Sequence, residues 1–265
     1  MRYVRYKYCG QVGYGCAKDD ILYALGEPPF GDLHAMKPVA DLDDVTLLSP
    51  VIPGKIIGVA RNSSTLAKER GWVIPLEPEF FLKPPSSVIG PGEPILCPPE
   101  SQEVVHEAEL ALVVAKKARH TSADEALGCL LGYTCANDVT ARDLMLRDRL
   151  VARSKSYDTF CPLGPMIVTD PPMPEARIIC RVNGEVRQDV PLTDYVFPPA
   201  TLISYLSRIM TLLPGDVLLC GSSAGIGPLR PGDQVEVAID GIGILRNPVK
   251  AKTDQFERPS KEEQS

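Results

Sequence analysis

No run of about eighteen or more apolar residues occurs anywhere in this 265-residue chain, which excludes a membrane-spanning helix. The opening residues, Met-Arg-Tyr-Val-Arg-Tyr-Lys-Tyr, carry no apolar leader segment, so the protein reads as cytoplasmic. There is no basic block, and the formal net charge is −6, which argues against a nucleic-acid partner. Histidine is scarce, at three residues: His34, His106 and His120. None of the eight cysteines forms a Cys-x-x-Cys pair or lies near a histidine at zinc spacing, so no zinc site is expected. Cys129, Cys135, Cys180 and Cys220 sit in apolar runs and read as small core residues, reduced by default. Long helices are few as well, because 26 prolines punctuate the chain between its apolar runs.

What the chain does have is a pair of acids in an apolar setting. From Glu107 it reads Glu-Ala-Glu-Leu-Ala-Leu-Val-Val-Ala. Strand alternation puts Ala108, Leu110, Leu112 and Val114 on one face, and Glu107, Glu109, Ala111, Val113 and Ala115 on the other. Both faces are apolar, as in a strand covered on two sides. Two like charges at the start of such a strand need compensation, because an unpaired buried carboxylate is costly or takes up a proton. A divalent cation with oxygen ligands, Mg²⁺ or Mn²⁺ rather than Zn²⁺, is one compensator. The other is a lysine or arginine on a neighbouring strand of a half-exposed sheet.

Taken in order, the chain divides into three parts. Residues 1–52 hold short strands (Arg2 to Tyr8, about Val12 to Cys16, Ile21 to Leu25) and form a small N-terminal β domain. Residues 53–250 form the main domain, and residues 251–265 are a polar, loose tail. In the main domain Lys55 to Ala60 reads as a buried strand, Thr65 to Arg70 as a helix stopped by Gly71, and Phe80 to Lys83 as a strand. The turn-rich stretch around it carries Trp72 and is either a lid over a pocket or a surface loop with one packed tryptophan. Ser122-Ala123-Asp124-Glu125 is a capping box. Cys129 to Ala136 is a strand that delivers Asn137-Asp138, and Val139 to Leu150 has helical spacing. Met166 to Val168 is a strand. Asn183-Gly184 is the strongest hairpin signal. Ala200 to Met210 is a helix, and strands Val217 to Cys220, Val235 to Ile239 and Gly241 to Val249 follow.

Gly221-Ser222-Ser223-Ala224-Gly225 matches the Gly-x-Ser-x-Gly elbow of serine hydrolases, with Ser223 as nucleophile. Pro228, Pro231 and Gly232 forbid the helix that should follow, and no histidine lies after the serine. The same glycines lack the lysine of a phosphate loop and the helix of a dinucleotide fold, so no nucleotide cofactor is expected. Their N–H groups remain able to hold a carboxylate or an oxyanion. His106-Glu107 is not a zinc-protease motif, since Leu110 stands where its second histidine belongs.

Six ordered pieces over roughly three quarters of the chain resemble the fumarylacetoacetate hydrolase superfamily, in its 2-hydroxyhepta-2,4-diene-1,7-dioate isomerase and acylpyruvase-like branch. They are Phe81-Leu82-Lys83-Pro84, His106-Glu107-Ala108-Glu109-Leu110, Asn137-Asp138-Val139-Thr140-Ala141-Arg142-Asp143, Lys155-Ser156-Tyr157-Asp158-Thr159-Phe160, Val182-Asn183-Gly184-Glu185-Val186-Arg187-Gln188 and Leu213-Pro214-Gly215-Asp216-Val217. The resemblance implies a mainly β (α+β) fold, a mixed β-sandwich roll with short helices, in a homodimer. It implies an Mg²⁺ or Mn²⁺ site, with Ca²⁺ a further option, at Glu107, Glu109 and Asp138. Lys155 matches a lysine that supports this oxygen cluster, and Arg142 and Gln188 match polar positions around the substrate. The substrate class is a small acidic metabolite, a 2-oxo, β-keto or β-diketo acid. Such acids are hydrolysed, decarboxylated or isomerised through an enolate that the cation stabilises.

Two departures bear on the reaction. Where many relatives carry Asn-Tyr-x-x-His-x-x-Glu, this chain has Asn62-Ser63-Ser64-Thr65-Leu66-Ala67-Lys68-Glu69. Glu69 remains as a lone base, but Leu66 replaces the histidine that would help it activate water. The loss shifts the expected chemistry from hydrolysis towards decarboxylation or tautomerisation. The glycine loop departs too, with Ser222 keeping a hydroxyl where the family has threonine, beside Gly221, for contacts to the substrate. A non-catalytic, metal-dependent binder of an acidic metabolite is the alternative.

Overall fold

The computed structural model describes residues 1–30 and 37–252. His34 and all but two residues of the expected tail lie outside them.

The described residues form twenty strands and five short α-helices. The strands of the N-terminal segment are β1 (Arg2–Tyr8), β2 (Gln11–Lys18), β3 (Ile21–Leu25), β4 (Lys37–Asp41) and β5 (Thr46–Leu48). Then come β6 (Ile56–Ala60), α1 (Ser64–Arg70), β7 (Glu79–Lys83), β8 (Val88–Ile89), β9 (Ile95–Cys97), β10 (Val104–Val105) and β11 (Ala108–Val114). The middle holds α2 (Ala123–Ala126), β12 (Leu130–Asn137), β13 (Thr140–Ala141), α3 (Arg142–Asp148), α4 (Ala152–Lys155) and β14 (Cys161–Val168). The chain ends with β15 (Arg177–Val182), β16 (Glu185–Pro191), α5 (Pro199–Ile209), β17 (Val217–Leu219), β18 (Pro228–Leu229), β19 (Gln234–Ile239) and β20 (Gly243–Ala251). No helix among the described residues is long and apolar enough to cross a membrane.

The main path of the largest sheet runs β4-β3-β2-β1-β14-β12-β11-β17-β6-β7, with β5 on β1 and β8 on β14. A second sheet, β16-β15-β19-β20-β9, packs against it, and a small one joins β13, β10 and β18. The first four strands thus form one end of the large sheet, joined to β14 where Arg2 and Tyr3 pair with Val168 and Ile167.

β11 lies near the middle, and all seven of its residues are buried. Ala108, Leu110, Leu112 and Val114 meet Ile178, Cys180, Val237 and Leu245 of the second sheet. Ala111 and Val113 belong to a separate apolar cluster on the other face, with Cys161, Leu163 and Val217. The alternation read from the sequence is the division between these two cores.

Three elements differ from the sequence reading. The helix expected from Val139 begins at Arg142, because Thr140 and Ala141 pair with Val105 and Val104. β14 starts at Cys161 rather than Met166; prolines at 162 and 165 suggested a turn, yet Cys161 and Pro162 pair with β8 and Leu163 and Gly164 with β12. Ala251, assigned to the tail, ends β20 beside Cys97. The Asn183-Gly184 hairpin forms as read, with φ of 53° and 84°, the two positive values its turn requires.

Candidate metal centre and cavity

The antiparallel register of β11 and β12 builds the acidic cluster. Ala108 pairs with Asn137 and Glu109 with Ala136, so Asp138 lies opposite Glu107. Asp138 N–H donates to Glu107 O at 2.8 Å, and Glu107 N–H donates to Asn137 Oδ1 at 2.9 Å. Residues opposite one another share a face. Glu107, Glu109 and Asp138 therefore converge, and each offers a carboxylate oxygen within 4.8 Å of the others.

Two lysines close on this cluster. Lys155, at the end of α4, donates to Asp138 Oδ2 and to Glu107 Oε2 at 3.0 Å, and its Nζ lies 5.1 Å from the Phe81 ring centroid. Lys83, at the end of β7, donates to Asp138 Oδ1 at 2.6 Å and is 2 % exposed. No role had been read for Lys83. Its signal was a lone cation, with Phe81, on the inward face of an apolar strand. Thr140, also missed, donates to Glu107 Oε1 at 2.6 Å.

Glu109 has no such cation. Among the described residues it pairs with neither lysine, and its carboxylate accepts the Gly221 N–H at 2.6 Å. Burial raises its pKa well above the ordinary value, and the Asp138 and Glu107 charges add to the rise against the pull of Lys155. Burial also works against the Asp138 charge, but Lys155 and Lys83 outweigh it and hold that pKa down. Burial disfavours the Lys155 ammonium too, yet Asp138, Glu107 and Glu109 keep its pKa above that of an ordinary lysine. Three carboxylates against two ammonium groups leave one negative charge unmatched, centred on Glu109. Hard oxygen donors with that surplus fit a divalent Mg²⁺- or Mn²⁺-type cation.

A cavity of about 330 Å³ opens over the cluster. Glu107, Asp138, Lys155 and Phe81 line its depth, and Arg142, Ser222 and Leu66 line its walls. Arg61, Arg70 and Trp72 also face it, so the stretch carrying Trp72 does border the cavity. Arg142 contacts Glu103 at 3.2 Å and stays part-exposed.

Three expected site residues are placed differently. Glu69 does not line the cavity; it accepts the Gly225 N–H at 2.8 Å and lies 3.2 Å from Arg70. Gln188 is buried behind the wall and spent on protein groups, because β16 carries it under the glycine loop. Gly221 N–H holds a carboxylate, but that of Glu109 rather than a ligand's. Gly221 has a φ of 99°, and a side chain there would meet Asn62 Cβ at 2.9 Å, so the close approach demands glycine.

The serine-hydrolase geometry is missing. No helix follows the loop, and Ser223 Oγ meets Gln188 Nε2 and Ala224 O rather than an imidazole. His106 is buried, and its pKa is lowered to about 4 by burial, with a smaller contribution from Arg187 against the Gln188 hydrogen bond.

α1 forms the cavity's outer wall and is tied down at its start. Ser63 caps it, accepting from Leu66 N–H at 3.0 Å, and Gly71 closes it in the left-handed region at φ 65°. Asp194, from the segment before α5, accepts from the Ser63 and Ser64 hydroxyls and from Thr65 N–H. An anion at a helix start is favourable, and these bonds hold the Asp194 pKa down against the opposing effect of burial.

Residues 55–250 match the sequence model described as fumarylacetoacetate (FAA) hydrolase C-terminal, and residues 1–50 match one described as Rv2993c-like, N-terminal. The chain is 40% identical over 230 residues to the human mitochondrial oxaloacetate tautomerase FAHD2A, covering 82% of this chain and 73% of that one. Its structure superposes on a 5-carboxymethyl-2-hydroxymuconate delta-isomerase from Mycobacterium smegmatis with a TM-score of 0.89 at 38% identity, covering 95% of this chain and all of the other. It also superposes on a maleylpyruvate hydrolase from Sphingobium in complex with manganese and pyruvate, with a TM-score of 0.79 at 27% identity over 96% of this chain and all of the other.

Proposed function

The chain belongs to the fumarylacetoacetate hydrolase family, and on that footing we propose that it is a divalent-metal-dependent enzyme that tautomerises a small 2-oxo dicarboxylic acid of the oxaloacetate type. Glu107, Glu109 and Asp138 would hold Mg²⁺ or Mn²⁺. When bound, that cation supplies Lewis-acid stabilisation of negative charge on the oxygens of a 2-oxo acid.

The observation that carries the reading is what stands beside the cluster. Leu66 lines the cavity where a water-activating histidine would be, and Glu69 is turned to Gly225. Hydrolysis needs an activated water. Tautomerisation moves a proton within the substrate and consumes none. Lys155 adds positive charge next to the oxygen cluster, which favours a developing oxyanion. Arg142, Arg61 and Arg70 supply guanidinium groups for a second carboxylate. The names of the human tautomerase and of the manganese- and pyruvate-bound hydrolase support this substrate class and metal type.

We also propose a homodimer. Val73 and Leu76, in the stretch that follows Trp72, are 86% and 98% exposed, and large apolar side chains left open to solvent suit a contact surface.

The test is to follow the enol–keto relaxation of oxaloacetate by ultraviolet absorbance, with Mn²⁺ or Mg²⁺, while CO₂ release is measured in parallel. Metal-dependent acceleration without CO₂ release supports tautomerisation, and CO₂ release moves the assignment to decarboxylation. Metal-dependent oxalate binding with neither activity would establish a binder instead.

A further inference from the structure

Gln188 is an amide with both ends committed. Its Oε1 lies 3.1 Å from Ala108 N and 3.0 Å from His106 Nδ1. Its Nε2 lies 2.9 Å from Ser222 Oγ, 3.1 Å from Ser223 O and 3.1 Å from Ser223 Oγ. Two main-chain groups of opposite polarity decide which end is which. Flipped, the amide would set its N–H against Ala108 N–H and its oxygen against Ser223 O.

That orientation fixes the imidazole. An amide oxygen only accepts, so His106 Nδ1 must carry the proton and donate it. Nε2 is then a bare lone pair. It is buried without a hydrogen-bond partner, and a Cβ at Gly227 would stand only 3.3 Å from it. Such an orphan is unfavourable and calls for an explanation, which the other ring nitrogen provides. The β15–β16 hairpin assembles the group, since Cys180, at 3.3 Å from His106 Nδ1, pairs in register with Gln188.

The consequence reaches the cavity. Ser222 Oγ accepts from Gln188, and its own O–H has no acceptor among the described residues. Ser223 differs, since its hydroxyl reaches Ala224 O at 3.4 Å. Ser222 lines the cavity with Glu107, Asp138 and Lys155. We propose that His106 and Gln188 are positioning residues that hold the Ser222 hydroxyl as a proton donor to a carboxylate or carbonyl oxygen of the ligand. The ligand class rests on the 2-oxo acid reading above; the relay itself does not.

Two measurements test this. Nitrogen-15 NMR of the histidine side chains, with His106 assigned by loss of its signals in His106→Asn, should show the Nδ1–H tautomer with a bare Nε2. An Nε2–H tautomer overturns the relay whatever the ligand is. In the second, oxalate binding to the Mn²⁺-loaded protein and kcat/KM for oxaloacetate are compared across variants. Ser222→Ala and Gln188→Glu should each lower both by about ten- to a hundredfold, the size of one hydrogen bond to a charged oxygen. In Gln188→Glu the serine must turn its proton to the new carboxylate. The double variant should be no worse than either single one, because both remove the same donor. His106→Asn keeps an N–H in place of Nδ1 and should stay near wild type, whereas His106→Leu should follow Gln188→Glu. Mn²⁺ affinity should be unchanged in all. Wild-type behaviour of Gln188→Glu, or losses that multiply, would overturn the proposal. A wild-type protein that neither binds oxalate nor acts on oxaloacetate would sink the 2-oxo acid reading alone, with the tautomer still deciding the relay.

Discussion

Lys83 and Lys155 share Asp138, one on each carboxylate oxygen. Replacing Lys83 with methionine leaves Asp138 with one cation in a fully buried setting. Breaking such a pair costs roughly 3–5 kcal/mol. Urea denaturation of the metal-free protein should show a loss of that order, and a loss below about 1 kcal/mol would mean that Lys155 suffices alone. His106 gives a pH dependence whose sign is fixed. The unfolded chain protonates this ring at 6.5 and the folded chain at about 4. Between those values the unfolded state holds more protons, so stability is full above 6.5 and falls as the pH drops towards 4. The span corresponds to about 3 kcal/mol. The groups facing the ring are Gln188, Cys180 and Arg187, and none supplies a compensating negative charge. Comparing urea midpoints of wild type and His106→Asn from pH 7 to 4 isolates this contribution; parallel curves would contradict it. Glu107 and Glu109 were legible because strand alternation and like charge on one face make a local contradiction that needs resolving, whereas Asp138 joined them only through the family resemblance. Lys83 and Gln188 were not legible in role. A lysine ending an apolar strand and a glutamine in a hairpin are unremarkable until strands far apart in sequence bring Asp138, Ala108 and Ser222 to them.

At the scale of elements, local signals worked where the cause is local. The Asn183-Gly184 turn, the Ser122 capping box and the Gly71 stop each depend on residues within a few positions, and all appear as read. β14 and the start of α3 were misjudged because partners distant in sequence, β8 and β10, recruit Cys161-Pro162 and Thr140-Ala141. α1 is likewise held by a remote residue, since a seven-residue helix is too short to persist alone. Asp194→Ala removes the acceptor for Ser63, Ser64 and Thr65 at once. We expect a stability loss of about 1–3 kcal/mol and faster amide exchange confined to α1. Unchanged exchange in α1 would mean that the Ser63 cap and packing of Leu66 hold it without Asp194.

At the scale of the molecule, one strand order does most of the positioning. β11 and β12 sit near the middle of the large sheet, with a core on either side, and their shared register brings the three acids together, with Glu107 and Asp138 lining the cavity. The apolar surface at Val73 and Leu76 predicts association. Sedimentation should return twice the 28.8 kDa chain mass, and charged substitutions at both positions should shift the protein towards monomer; a dimer indifferent to them would place the interface elsewhere. Glu107, Glu109 and Asp138 would act as one divalent-cation site. Calorimetric titration of Mn²⁺ into wild type, Glu109→Gln and Asp138→Asn tests it most directly. One site per wild-type chain is expected, with affinity reduced at least about tenfold, or 1.4 kcal/mol, in each variant. Equal Mn²⁺ binding by all three proteins would contradict it.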